Sequence, residues 1–318
     1  MLKIFAGNSH MALARKIREN LEPRTLDKVT VGKFADGEIH LKDLENVRGA
    51  DCFIIQPTQA PGDNLLELLF LANTLKRSSA RSVTTVIPYF AYARSDRKDA
   101  PRAPIIASAV ARMLESMGVD RILTMDLHSD QLEAIFKIPV DHLRGKFLLV
   151  NELNKYTDYN SVLVGPDIGV IKTLRWYSDK LELPYAWIDK SRPAANENEV
   201  MSVNGADVNG KDLWFIDDMV DTGGTMIKGI RACLERGAAS ANIVATHGVF
   251  GKGASKTLEK APINKLIITN TLPNYGNARL RGIMKKKGGK LIVVDTAPIF
   301  ARAIRNIYES RSLGELFV

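Results

Sequence analysis

The chain has 318 residues, 45% hydrophobic and 25% charged, proportions that exclude a disordered chain, a collagen-like fibre and a small disulfide scaffold. Lysine and arginine number 44 against 36 aspartate and glutamate, and the net charge of +8 favours anionic partners without choosing between nucleic acid and phosphorylated small molecules. No apolar run approaches the ~20 residues that cross a bilayer, and Cys52 and Cys233 lie far apart without metal-ligand spacing.

Residues 1–7 read directly as a strand with no signal peptide, so a reducing cytosol is the expected compartment. Helical periodicity follows over 9–20, then strand patterns over 28–34 and 51–56. A helix over 63–78 leads to a strand over 82–88, a helix over 104–117 and a strand over 121–126. Beyond them lie a helix over 146–156, a strand over 161–165, a helix over 168–181 and strands over 185–189 and 213–217. The last elements are a helix over 225–236, strands over 241–246, 265–269 and 290–294, and a helix over 298–309. Several of these strands are continuous apolar runs, as in central parallel strands covered on both faces. Strand–helix alternation of this kind implies parallel sheets with right-handed crossovers. The length suits two domains. A weak internal echo agrees: the apolar strand ending in Asp126-Leu127-His128-Ser129-Asp130 is repeated in plan by the one ending in Asp217-Asp218-Met219-Val220-Asp221. In open α/β sheets, ligands bind beyond such strand ends.

The familiar nucleotide fingerprints fail. The segment Gly205-Ala206-Asp207-Val208-Asn209-Gly210-Lys211-Asp212 nearly spells a P-loop. Asp212 stands where Ser or Thr must ligate the metal, and the segment runs into a strand instead of a helix. No Gly-x-Gly-x-x-Gly follows a strand, and no His-Glu-x-x-His occurs.

The strongest signal is Asp217-Asp218-Met219-Val220-Asp221-Thr222-Gly223-Gly224-Thr225. A buried strand delivers two carboxylates, and a glycine turn with two threonines opens a helix. Glycines let the backbone wrap an anion, and the first amides of a helix point at it. That suits a phosphate monoester. Ionised carboxylates accept hydrogen bonds only, which suits adjacent sugar hydroxyls. An acidic helix cap would need one aspartate and no Thr-Gly-Gly-Thr.

This nonapeptide resembles the phosphoribosyl-diphosphate-binding loop of the type I phosphoribosyltransferases. Tyr92-Ala93-Arg94-Ser95-Asp96-Arg97-Lys98-Asp99, Met125-Asp126-Leu127-His128, Gly165-Pro166-Asp167-Ile168-Gly169 and Lys190-Ser191-Arg192 precede it in that order. Together they resemble the ribose-phosphate diphosphokinases over essentially the whole chain. The resemblance implies an α/β fold of two duplicated phosphoribosyltransferase-type domains, each a mostly parallel sheet flanked by helices. Residues 1–145 would form the N-terminal domain, and 146–318 the C-terminal domain carrying the ribose 5-phosphate loop. It also implies transfer of the diphosphoryl group of ATP to the 1-hydroxyl of ribose 5-phosphate, with Mg²⁺, for nucleotide biosynthesis. The enzyme would be a cytoplasmic homo-oligomer, expected as a hexamer built from dimers, with phosphate as activator and ADP as inhibitor. Neither nucleic acid nor membrane would be a partner. A phosphoribosyltransferase would share the 217–225 loop but need neither Lys190-Ser191-Arg192 nor His128. A non-catalytic regulatory relative would lack parts of the set that this chain keeps.

Carried over residue by residue, the resemblance makes Phe34, Asp36, Gly37 and Glu38 an adenine-binding loop serving a neighbouring subunit. On the residues alone, Asp36-Gly37 is an ordinary hairpin turn. Arg94, Ser95 and Asp99 match the ATP-binding stretch, where Ser95 replaces a usual glutamine; a solvated cationic loop is the alternative. His128 and Asp167 match metal contacts, although histidine is unusual for Mg²⁺, and each also suits a structural role at a strand end. Val170 replaces a family glycine beside Asp167. Lys190 and Arg192 would be the catalytic cations on the transferring group, or else two loop cations. Arg192, Asp217, Asp218, Asp221, Thr222, Gly223, Gly224 and Thr225 would bind ribose 5-phosphate. Arg48, Ser79, Arg102, Ser310 and Ser312 match positions that bind regulatory phosphate or ADP.

Overall fold

The computed structural model describes residues 1–21, 26–98, 100–191, 200–273, 280, 282, 285 and 289–317. The chain forms two compact units. The first comprises Met1–Arg144, Thr271–Pro273 and Asp295–Val318, and the second Gly145–Asn270 and Asn274–Val294. Both are α/β with mostly parallel sheets flanked by helices.

In the first unit, five strands lie in the order β1 (Leu2–Ala6), β4 (Asp51–Ile55), β5 (Ser82–Ile87), β6 (Arg121–Met125) and β7 (Val140–Leu143), all parallel. Alternation divides each strand between two buried faces. Phe5, Cys52, Ile54, Val83 and Ile122 join one apolar core, while Ile4, Phe53, Ile55 and Leu123 are buried on the other side. Helices α1 (Met11–Leu21), α2 (Asp63–Arg77) and α3 (Ile106–Ser116) supply the crossovers. A separate antiparallel pair, β2 (Thr30–Lys33) and β3 (Ile39–Lys42), stands out as a hairpin.

The sequence boundary at 145/146 assigns the chain's end to the second unit, and the structure packs it in the first. The C-terminal helix Ala297–Tyr308 buries Phe300, Ala301, Ala303 and Ile304. It lies along α1, where the Arg305 guanidinium donates to the Leu21 carbonyl at 2.7 Å and Lys16 pairs with Asp295 at 2.9 Å. Its apolar stripe follows i, i+3, i+4 spacing, and such a stripe has to be covered.

The second unit's sheet has the order β10 (Val200–Gly205), β9 (Tyr185–Ser191), β8 (Ser161–Gly165), β11 (Asp212–Val220), β12 (Ser240–Gly248), β13 (Lys265–Thr269) and β14 (Lys290–Val294). Only the edge strand β10 runs antiparallel, against β9. Val162, Val164, Phe215 and Ile243 face one core and Leu163, Trp214, Ile216 and Val244 the other, so the apolar runs are strands covered on both faces. Helices α4 (Lys146–Leu153), α5 (Ile171–Leu181), α6 (Gly224–Glu235) and α7 (Ala254–Lys260) complete it. From β8 the chain moves outward through α5 to β9 on one side, then returns to place β11 on the other. The order therefore reverses between β8 and β11. Such a switch point opens a crevice at the strands' carboxyl ends.

Candidate functional site

The two strands that flank the switch point carry the acidic motifs at their carboxyl ends. The half-buried Asp217 carboxylate accepts from the Asp218 amide at 2.9 Å. Burial, then the charge of Asp218 beside it, with Asp167 adding to them, pushes the Asp217 carboxyl well above the usual carboxylate range. A turn follows in which Gly223 takes a left-handed φ of 75°, immediately before the first residue of α6. A side chain there would be strained. Thr222 and Thr225 are exposed on either side of the turn. The Asp221 carboxylate accepts from the Gly251 amide at 3.2 Å, and a Cβ on Gly251 would come within 2.3 Å of that oxygen. Gly251 is thus part of the loop's support. The motif reading missed it, because it lies 30 residues on, with no local signal.

Just past β8, the exposed Asp167 caps a short 3-10 turn by accepting from the Gly169 amide at 2.9 Å. Val170 does not project into the crevice. Its side chain lies over Gly165, where an added Cβ would meet it at 2.4 Å, and it packs against the core of Leu174 and Trp214. The aspartates offer oxygen donors in surplus of negative charge, which fits a hard divalent cation. Among the described residues no three His, Cys, Asp or Glu side chains close a cage.

In the first unit, the hairpin turn is closed by the Phe34 amide donating to the Glu38 carbonyl at 2.8 Å and the Gly37 amide to the Phe34 carbonyl at 3.0 Å. Gly37 has a φ of 96°, and Asp36 accepts from the Glu38 amide at 3.0 Å. The Phe34 ring is 58% exposed and rests on His40, with centroids 4.6 Å apart. Two contacts tie the hairpin down. Lys33 pairs with Asp63, and the Asn8 amide donates to the Val31 carbonyl at 3.2 Å while also held by the buried Glu67 carboxylate at 2.9 Å. The arrangement presents a bare aromatic face on an anchored turn.

Arg94 is exposed, whereas Ser95 is tied to the start of α3, its carbonyl accepting from the Ala107 amide at 3.2 Å. His128 is exposed just past β6, after Asp126 at a left-handed φ of 40°. The Ser129 hydroxyl donates to Asp96 at 2.8 Å, which joins the Arg94-Ser95 stretch to the His128 segment. Beneath that segment lies the buried His142 of β7, a residue that the motif reading did not single out. Its only sequence signal is a polar residue in the short apolar-polar stretch Val140-Asp141-His142-Leu143.

Ser79 meets the residue after Arg48, its carbonyl accepting from the Gly49 amide at 2.9 Å. Arg81, paired with Asp51, lies within electrostatic reach of Tyr308, two residues before Ser310. Ser312 is held by its carbonyl, which accepts from the Asn306 side chain at 2.8 Å. Arg102 enters none of these contacts. Ser79, Arg102 and Ser310 all adopt left-handed φ values of 66°, 66° and 56°, each costing about 1–3 kcal/mol, and such strain gathers at functional positions. Lys190 pairs through its backbone with Met201 across β9 and β10. Asp99 and Arg192 lie outside the described residues.

Residues 2–118 match the family described as the N-terminal domain of ribose phosphate pyrophosphokinase, and residues 192–318 match the phosphoribosyl synthetase-associated domain. The chain is 43% identical to a ribose-phosphate pyrophosphokinase of Wolinella succinogenes over 317 residues, which covers 99% of each. It is 40% identical to one of Helicobacter pylori over 316 residues, covering 99% of this chain and 96% of that one. Among solved structures, phosphoribosylpyrophosphate synthetase from Mycobacterium smegmatis superposes with a TM-score of 0.87 at 36% identity, covering 97% and 99% of the two chains.

Proposed function

The chain belongs to the ribose-phosphate pyrophosphokinase family, and from that premise we propose how its residues share the transfer of the ATP diphosphoryl group to the 1-hydroxyl of ribose 5-phosphate. The products are 5-phosphoribosyl 1-diphosphate and AMP, and the reaction serves nucleotide biosynthesis.

Ribose 5-phosphate belongs in the 217–225 loop. The observation that carries this reading is the left-handed Gly223 directly before α6, at the sheet's switch point. Amides at the helix start and the Thr222 and Thr225 hydroxyls face the phosphate. Asp217, Asp218 and Asp221 accept from the ribose hydroxyls, with Gly224 keeping the backbone close. The Phe34 ring stacks on the adenine of ATP with Asp36, Gly37 and Glu38 around it, in a site shared between copies of the chain. Arg94, Ser95 and Asp99 complete the nucleotide contacts. His128 and Asp167 would be metal contacts, and Mg²⁺ held there would neutralise phosphate charge on the diphosphoryl group. Lys190 and Arg192 place cations where negative charge redistributes during transfer, and preorganised charge acts most strongly there. Arg192 also reaches the sugar phosphate. No covalent enzyme intermediate is required. The working form is a cytoplasmic homo-oligomer, a hexamer built from dimers. The five positions Arg48, Ser79, Arg102, Ser310 and Ser312 receive phosphate as activator or ADP as inhibitor.

Asp221→Ala and Gly223→Val test the loop. Each is expected to raise the half-saturating ribose 5-phosphate concentration at least tenfold while changing that for ATP less than threefold. Steady-state kinetics with both substrates varied decides it. A collapse of ATP affinity with ribose 5-phosphate affinity intact would place the sugar elsewhere.

A further inference from the structure

We propose that His142, in its neutral Nδ1-protonated form, is the positioning residue that sets the height of the loop carrying His128. This deepens the reading above and rests on the assignment of His128 to the site.

The geometry is explicit. His142 lies on β7, next to β6, with its side chain 3% exposed. Its Nε2 accepts from the Leu127 amide at 2.7 Å, one residue before His128. The Arg144 guanidinium also points a donor at Nε2, at 3.3 Å. Two donors on one ring nitrogen require that nitrogen to be unprotonated. The other nitrogen, Nδ1, faces the Glu133 carboxylate at 2.7 Å and therefore donates. One proton arrangement satisfies all three contacts.

Glu133 and Arg144 are themselves tied together at 3.4 Å, and Arg144 pairs with Asp130 at 2.6 Å. Asp130 and Glu133 belong to the 3-10 turn Asp130–Ile135 that follows the loop. The Asp126 amide donates to the Leu143 carbonyl at 3.0 Å. The loop from 126 to 129 is thus held on one side by the β7 backbone and at its centre by the imidazole. The left-handed Asp126 alone would not fix it, since that conformation costs energy and persists only when its surroundings hold it. His142 is the buried group that meets the Leu127 amide, one residue before His128. Partners of this kind, one step removed from a metal contact, typically matter 10- to 100-fold.

Two variants separate positioning from bulk. His142→Leu keeps the volume and removes the acceptor. His142→Gln keeps an acceptor at about the reach of Nε2. His142→Leu is expected to lower turnover about 10- to 100-fold at saturating ATP, ribose 5-phosphate and Mg²⁺, with the half-saturating ATP concentration shifted less than threefold. His142→Gln is expected to recover most of that rate. Independently of activity, hydrogen exchange should find the Leu127 amide protected in the wild type and the Gln variant, and exposed in the Leu variant. Wild-type turnover in His142→Leu overturns the proposal, as does a Gln variant as slow as the Leu variant. If His142→Leu does not fold, rapid exchange of the Leu127 amide in the wild type overturns it without any variant. His128→Ala, assayed in parallel, keeps the two readings apart. A slow His128→Ala beside a fast His142→Leu removes the positioning role alone. A fast His128→Ala removes His128 from the site and leaves nothing for His142 to position.

Discussion

Val170 shows how one substitution is absorbed by the residue it touches. A branched side chain next to Asp167 suggests interference with the sugar phosphate, yet it turns down onto Gly165 and occupies the space a Cβ would need. Gly165→Ala is therefore expected to destabilise the protein by about 1–3 kcal/mol through overpacking. The cost should fall in a Val170→Gly background, because the nearest clash is gone. Urea denaturation of the four proteins in the cycle measures the coupling, and full additivity would show that the two residues do not share the space. His142 makes a second prediction at this scale. Burial, then the charge of Arg144, holds its imidazole below the ordinary 6.5, against the opposing pull of Glu133 and Asp126. As pH falls, the unfolded chain takes up the proton first. The stability that neutral His142 contributes is thus complete above about 6.5 and is lost as pH drops from there through the folded value. Denaturant midpoints from pH 8 to pH 5 should fall more steeply for the wild type than for His142→Gln.

Elements differ in how far they are tied to the core, and no residue of the β2–β3 hairpin is fully buried, though Val31 and Leu41 pack against the first unit's core. Its aromatic residue faces outward, so Phe34→Ala should leave the melting temperature nearly unchanged. Stacking a base on an aromatic ring is worth ~1–3 kcal/mol, so the same variant should raise the half-saturating ATP concentration by about 5- to 100-fold. A large loss of stability would mean the ring packs inward. The sequence made the long apolar elements legible. The strands at 161–165, 265–269 and 290–294 coincide with the patterns residue for residue, because runs covered on both faces have no polar interruption to blur their ends. It hid β3, β7 and β10, which are short, mixed in polarity or at an edge. It also hid α7, whose seven residues bury only Ala254 and Leu258. In the candidate site, Asp217–Asp218 and the Gly223 turn could be read because they form one contiguous motif. Gly251 and His142 could not, because they act from positions distant in sequence, one through its amide on the Asp221 carboxylate and the other through its ring on the Leu127 amide. Pattern in one dimension carries no trace of such a meeting.

On the scale of the whole molecule, the first unit is built from both ends of the chain. Leu13, Ala14 and Ile17 of α1 are fully buried, and so is Phe300 of the C-terminal helix. A chain ending at Val294 would uncover this face. It is expected to lose the first unit's cooperative unfolding transition and to aggregate, with the second unit keeping its own transition in calorimetry. An intact first transition in the truncated chain would mean that α1 needs no cover. The closing of one unit by the far end of the chain also bears on manufacture. A ribosome delivers residues in order, at ~5–20 per second, so α1 is made early and waits through the synthesis of nearly everything else for its covering helix. The unit that leaves the tunnel first is the one that finishes last. For all that time the emerging polypeptide shows an apolar stripe to the cell, and a chaperone that shields it there would act on a completed sheet with an open side.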